Sequence, residues 1–235
     1  MSGRRLVGKR AKRRQNVTLL WVIGGVVAAA AIAVALVSVN ASASTTAASV
    51  ATPSPPAPLD ACGAATCGQA NAPVTIDVYA DFQCPYCAQF EPALQQLKAP
   101  YIDTGKVRLA YHSFPFIGPE SETAAQAADC AADQNQFWRF AHDLFTHQGT
   151  ENSGVFTAAN LKIMAASLGL NTASFNSCLD SNKYAAAVES DYAQGQRLGV
   201  QSTPTFFVNG QRHEGGVPYQ QLSALIDAAL ANKAS

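Results

Sequence analysis

The feature that most restricts the fold of this chain is Cys84-Pro85-Tyr86-Cys87, because the hydrophobic period changes across it. Before it, Val74, Ile76, Val78, Ala80 and Phe82 alternate with Thr75, Asp77, Tyr79 and Asp81, which predicts a strand over Val74 to Phe82. After it, Phe90, Leu94, Leu97 and Tyr101 share one helical face, with Pro85 suited to the first turn and Pro92 expected to kink the helix. Gly105 closes that segment, and Val107 to His112 reads as a second strand. A strand, a helix and a strand in this order imply a parallel pair with a crossover helix.

The following ninety or so residues read as helices. Ser121 to Asp133 is Ala-rich. Phe137, Ala141, Leu144 and Phe145 mark one amphipathic face, Leu161, Met164, Ala165 and Leu168 another, and Phe175, Cys178 and Leu179 a third. Tyr184, Val188 and Asp191 to Leu198 lead to Gly199, a suitable C-cap. Strands return at Thr205 to Val208 and Arg212 to Gly216 around Asn209-Gly210, a strong hairpin signal, and Leu222 to Leu230 forms a terminal helix. The fold class is α/β, with a helical block inserted between the two strand-bearing halves.

Charge is distributed unevenly. Of the 16 basic residues, seven fall between Arg4 and Arg14, and no acid precedes Asp60, so the rest of the chain carries a net charge of −7. That balance argues against nucleic acid as a partner. Val17 to Val39 holds no charge and would span roughly 34 Å as a helix, enough to cross a bilayer. The basic run places Met1 inside and the remainder outside the cytoplasm. A cleaved signal peptide ending at Ala41-Ser42-Ala43 is the alternative, but the apolar run is long for one. Lipidation at Cys62 is a weaker third reading. Asn40 to Pro58 is rich in Ala, Ser, Thr and Pro and reads as a tether. The expected organisation is a basic tail at 1–16, a transmembrane helix at 17–39 and a tether at 40–71. One domain follows from 72–113 and 200–235, with an insertion at 114–199.

The paired cysteines sit where a helix starts. Free backbone N–H groups and the helix dipole stabilise an anion there, so Cys84 should carry a depressed pKa and act as a nucleophile. Cys87 lies one turn on, within reach to resolve a mixed disulfide. The competing readings are a structural disulfide or half of a metal site. No second short-spaced Cys/His pair supports a metal, and His112, His142, His147 and His213 read as ordinary surface or core histidines. No flavin, nicotinamide or metal signature is present, so no cofactor is expected.

At these residues the chain resembles the DsbA-like branch of the thioredoxin superfamily, and its membrane-anchored bacterial members in particular. The segments that carry the likeness are Tyr79 to Cys87, Phe114-Pro115, Gly118 to Ser121, Cys130-Ala131, Phe137-Trp138 and Gly199 to Gly210. The resemblance implies a thioredoxin fold with an inserted helical domain, and an extracytoplasmic oxidoreductase that oxidises protein dithiols through a Cys84–Cys87 disulfide. Isomerase or reductase activity is the alternative direction, and a non-catalytic binding or copper-handling thiol module the alternative class. The likeness also implies that Pro204 forms a cis-proline loop facing the motif. Thr203 would pair with extended substrate and tune Cys84, and Pro85 and Tyr86 would complete the substrate-contacting set. Unfolded or reduced exported proteins are the implied substrates. A DsbB-like or vitamin K epoxide reductase-like membrane protein is the implied reoxidant.

One position departs from the family pattern. Many relatives carry a buried carboxylate six residues before the first cysteine, where this chain has Val78. Asp77 points to the opposite face, and Asp81 reads as a surface or capping residue. The other four cysteines admit several pairings. Cys130 with Cys178 reads as a structural disulfide of the helical block, the alternative being two buried thiols. Cys62 with Cys67 reads as a small local disulfide or, more sharply, as a second redox pair. Phe82, Tyr86 and Phe116 are candidates for an apolar substrate groove, while Phe137, Trp138, Phe140 and Phe145 read as core.

Overall fold

The computed structural model describes residues 58–234. The basic tail, the 17–39 helix and the tether up to residue 57 lie outside the described residues. Among the described residues no helix is long and apolar enough to cross a membrane.

Five strands form one sheet in the order β1-β3-β2-β4-β5: β1 (Thr66–Cys67), β2 (Val74–Ala80), β3 (Val107–Ser113), β4 (Thr205–Val208) and β5 (Gln211–Glu214). β2 and β3 are parallel, in register from Val74↔Val107 to Ala80↔Ser113. The connection between them is helix α1 (Pro85–Gln95), which contains Pro92. β4 runs antiparallel to β2, with Val78 opposite Phe206. Asn209 and Gly210 have φ of 48° and 82°, which turns β4 into β5 as the Asn-Gly signal predicts. The structure ends β2 at Ala80, two residues short of the expected strand, because Asp81 begins the turn into the motif. The helical face expected to run on to Tyr101 is broken after Gln95 and continues as one wide π-type turn, Lys98–Ile102.

The insertion contains α2 (Pro119–Ala132), α3 (Phe137–Thr146), α4 (Ala158–Ser167), α5 (Thr172–Asp180) and α6 (Ala185–Arg197). Thr157 and Asn171 cap α4 and α5 by accepting from the backbone N–H groups of Asn160 and Ser174. Gly199, at φ 78°, ends α6 as the sequence implies. The Cys130–Cys178 disulfide ties α2 to α5. α7 (Tyr219–Ala234) returns to pack on β2, β4 and α1.

Both faces of the sheet are covered. Ile76, Val78 and Phe206 point to the side of α1, where Phe206 packs on Phe90 at 5.3 Å between ring centroids. Tyr79, Phe114, Val200 and Phe207 form a second cluster on the other side, against Tyr192 of α6. Tyr79 is therefore buried too, which alternation alone assigns to a polar face.

The folded body also starts earlier than residue 72. Leu59 is fully buried in a 3₁₀ turn, Pro58–Ala61, and its N–H donates to Gln95 Oε1 at 2.7 Å. β1 pairs antiparallel with the edge of β3, Cys67 opposite Leu109. A two-residue strand is too short to show a period, and a single buried leucine after a proline run carries no pattern. Residues 58–71 thus belong to the domain rather than to a solvated tether.

Candidate active site

Asp81 organises the turn that presents the motif. Its carboxylate accepts from the N–H of Gln83 at 2.8 Å, of Phe116 at 3.0 Å and of Ile117 at 3.1 Å. The side chain is buried rather than at the surface, because three backbone donors replace its water. Its own carbonyl accepts from the Cys84 N–H at 3.0 Å. Cys84 thereby becomes the extended N-cap residue of α1, with Pro85 in the first turn, where its missing N–H costs nothing. The Cys84 carbonyl accepts from Cys87 and Ala88.

The cis bond between Thr203 and Pro204 brings a second backbone segment against the motif. Cys84 Sγ donates to the Thr203 carbonyl at 3.3 Å, and Pro204 shares an apolar cavity with Cys87. The structure therefore brings together Cys84, Cys87, Thr203 and Pro204, drawn from opposite ends of the chain.

The two sulfurs differ in acidity. A hydrogen bond from the Cys87 thiol outweighs the opposing effect of burial at Cys84. With help from Thr203 and the backbone N–H groups of Cys87 and Tyr86, it lowers the Cys84 pKa to about 6. At Cys87, burial dominates and raises the pKa well above the ordinary thiol range. The Thr203 hydroxyl is buried without a hydrogen-bond partner and is one of the groups that lower the Cys84 pKa. Cys84 is a free thiol only 5% exposed, and Cys87 is 3% exposed. The nucleophile thus sits in a recess closed by the cis-proline loop, not on an open helix end.

Residues of the insertion hold the motif from the other side. Gln148 Nε2 donates to the carbonyls of Phe82 at 2.7 Å and of Cys84 at 3.1 Å. Gln83 donates to Ser121 Oγ and accepts from the N–H of Asn152 at 2.6 Å. Sequence reasoning misses Gln83, Gln148 and Asn152, since polar contacts across more than sixty residues leave no local period.

The expected apolar groove of Phe82, Tyr86 and Phe116 does not form. Phe82 is buried, stacked on Tyr111 at 5.1 Å and tilted against Phe145. Tyr86 is 67% exposed and borders a surface groove with Phe90, Pro92 and Val217. Phe116 lines a different groove with Tyr192 and Val188. The strand parity that places Phe82 with Ile76 and Val78 in the core overrides its closeness in sequence to the motif.

Cys62 and Cys67 are joined to each other, and neither begins a helix. Cys67 is buried on β1, whereas the reactive pair sits at the start of α1. His112 lies between Asp77 at 3.2 Å and Asp191 at 3.5 Å and stacks on Tyr79 at 4.7 Å. Burial lowers its pKa, but hydrogen bonds to Asp191 and Asp77 win and raise it to about 9. It ties α6 to the sheet on the face away from α1.

A parallel βαβ unit with a dithiol at the start of its helix, faced by a cis-proline loop, defines a thioredoxin-fold dithiol protein. The sequence model described as thioredoxin matches residues 61–228, and the chain belongs to that family. Its relatives include the "Probable disulfide bond formation protein D" of Bacillus anthracis, 34% identical, with 61% of this chain and 68% of that protein covered. The "Na(+)/H(+) antiporter NhaA 3" of Salinispora tropica is 36% identical over 70% of this chain but only 24% of its own length. The chain therefore spans about a quarter of the length of the antiporter relatives it matches. Among solved structures, oxidised BdbD from Bacillus subtilis superposes with a TM-score of 0.65 at 27% identity, covering 77% of this chain and 96% of that one. These relatives and neighbours mark the chain as DsbA-like within the family.

Proposed function

We propose that this chain is an exported protein thiol oxidase. The observation that carries the reading is the asymmetry of the pair: Cys84 is acidic at a helix start and Cys87 is protonated and buried. A substrate thiolate attacks Cys84 of the Cys84–Cys87 disulfide. The S–S bond breaks, Cys87 takes the electron pair and then a proton, and a mixed disulfide forms at Cys84. A second substrate thiolate attacks the substrate sulfur of that bond, and Cys84 leaves as a stable thiolate. The substrate is oxidised by two electrons and the enzyme reduced by two. Stabilising the thiolate stabilises the reduced enzyme, which makes the disulfide a better oxidant.

Thr203 would pair its backbone with an extended substrate segment, with Pro204, Pro85 and Tyr86 beside it, a form of strand addition. The names of the Bacillus relatives and the BdbD likeness support this direction. Substrates would be reduced exported proteins. A membrane protein of the DsbB or vitamin K epoxide reductase kind would accept the electrons. We further propose that 17–39 spans the membrane with 1–16 in the cytoplasm, which keeps the enzyme beside such a reoxidant.

The test is oxidation of a reduced, unfolded protein by the full chain. The parent should restore its disulfides and Cys84→Ser should not. Equilibration with glutathione then fixes direction: a potential near that of cytosolic reductants, about −270 mV for thioredoxin, would overturn the oxidase reading.

A further inference from the structure

The groove that Phe116 borders lies outside the cysteine site and takes no part in the exchange described above. It holds about 500 Å³. Its floor is apolar, made by Phe116, which is 47% exposed, and by Val188 and Tyr192 of α6. The ring of Tyr192 packs on Phe114 at 4.6 Å, and Phe114 on Phe116 at 6.1 Å. α6 comes this close because Gly195 carries no side chain: a Cβ there would lie 2.7 Å from the Phe114 ring. Two exposed acids, Glu122 of α2 and Glu189 of α6, border the groove. No lysine or arginine lines it, and the ion pairs of the described residues use neither carboxylate. Gln126, one turn beyond Glu122, also lines it, and its Oε1 is buried with no protein partner. Buried acceptors in native proteins are nearly always paired. The terminal amide torsion is soft, so a small rotation turns that oxygen toward a donor in the groove. The groove is also held in register with the cysteines. It starts beyond Ser113 of β3, which pairs with Ala80, the residue from which the motif leaves β2. One oxygen of Asp81 accepts from the N–H groups of Phe116 and Ile117, the other from Gln83.

We propose that this groove docks an extended segment of the protein being oxidised, one in which apolar and basic residues are neighbours. An apolar side chain covers Phe116, Val188 and Tyr192. A Lys or Arg next to it is held by Glu122 and Glu189, and a backbone N–H of the segment meets Gln126 Oε1. Each feature of the groove thus matches one part of a polypeptide. The net charge of −7 after Arg14 favours a cationic segment over an acidic one. An unfolded chain exposes such segments, because its apolar residues have no core to enter. Docking raises the concentration of the attached thiols around Cys84 without a covalent bond. The identity of the partner rests on the oxidase reading above, whereas docking itself needs no cysteine, so the two fail separately.

The test is fluorescence anisotropy of a short labelled, cysteine-free peptide of alternating Phe and Lys. It is titrated with the oxidised full chain in nonionic detergent, with detergent alone subtracted. The parent should bind this peptide and should not bind the same peptide with Glu in place of Lys. Joint Glu122→Gln and Glu189→Gln should weaken binding on the order of fivefold, the worth of two exposed ion pairs, and remove much of its salt dependence. Phe116→Ala, which leaves the charge intact, should weaken it on the order of tenfold. Joint Asp103→Asn and Asp180→Asn removes the same charge on other segments and should keep the affinity within about twofold of the parent. No binding by the parent, or equal weakening by the two charge variants, would overturn the docking site. So would a loss in Tyr86→Ala without one in Phe116→Ala, which puts the peptide in the other groove. If the Glu122 and Glu189 variant is unfolded by circular dichroism, Phe116→Ala decides alone. Oxidation of a reduced, unfolded protein is measured beside it. A parent that binds the peptide but oxidises nothing keeps the groove and sinks the oxidase reading, and a parent that oxidises without binding the peptide does the reverse.

Discussion

The sulfur of Cys84 lies 3.3 Å from the carbonyl oxygen of Thr203, across 119 positions of sequence. The contact joins the residue that begins the active-site helix to the residue that begins the cis peptide bond. The carbonyl holds the thiol proton, whereas the hydroxyl of the same Thr203 helps to lower the Cys84 pKa.

Replacing Thr203 with Val removes the hydroxyl that helps lower the Cys84 pKa and keeps the side-chain volume close. A hydrogen bond to a charged acceptor contributes about 1.5–3 kcal/mol, so the Cys84 pKa should rise from about 6 by about one unit or more. Thiolate absorbance at 240 nm followed against pH measures this. The glutathione equilibrium should shift toward a less oxidising disulfide, and an unchanged titration would contradict the assignment.

The acidity of Cys84 makes the reduced protein sensitive to pH. Its pKa falls from an ordinary value of 9.0 to about 6 on folding, so its contribution is full above about pH 9 and is lost as pH falls through 6. The maximum is about 4 kcal/mol, at 1.36 kcal/mol per unit. Urea unfolding of the dithiol form at pH 5.5 and 8.5 should show this gain, relative to Cys84→Ser. The disulfide form should lack it.

His112 should act with the opposite sign. Its pKa rises from 6.5 to about 9, so the stability it supplies is present below pH 6.5 and fades as pH rises through 9. Allowing for the partial exposure of all three side chains, the effect is about 1–2 kcal/mol. His112→Gln should lose stability at pH 6 and little at pH 9.5. The imidazole proton resonances should titrate near pH 9 in the parent, and Asp191→Asn should lower that midpoint.

The Cys130–Cys178 bond closes a loop with a separation of 48 residues. Loop-closure entropy predicts about 4 kcal/mol of stabilisation, and strain or residual structure reduces such values to about 2–4 kcal/mol. The double replacement by Ala should lower the unfolding free energy by that amount, read from urea unfolding. The reactivity of Cys84 should be retained, because the bond lies within the helical insertion, between α2 and α5.

Much of this arrangement was legible in the sequence. The period change at Cys84, the Asn209-Gly210 turn and the Gly199 cap are local signals, and each produced the expected element. The alternation of β2 placed Ile76 and Val78 correctly but misread Tyr79, since a central strand of a doubly covered sheet is buried on both faces. Leu59 and the Thr66–Cys67 strand were missed because neither is long enough to carry a period. Asp81 looked like a surface acid because the three amides it serves come together only after folding. Gln83, Gln148 and Glu91 escaped for the same reason. The partners that fix them from across the fold, Ser121, Asn152, Phe82, Cys84 and His142, lie 38 or more positions away, and a polar side chain shows no preference in sequence for a distant donor or acceptor.

The ends of the sheet bear on how such a protein meets unfolded chains. β1 has only two residues, and β5 is the short, largely exposed run Gln211-Arg212-His213-Glu214. The shortness of both margins, and the charges of β5, discourage a sticky polypeptide from extending the sheet sideways. The sheet therefore offers little free edge to another strand, and the recess that holds Cys84 is set apart from it by the cis-proline loop.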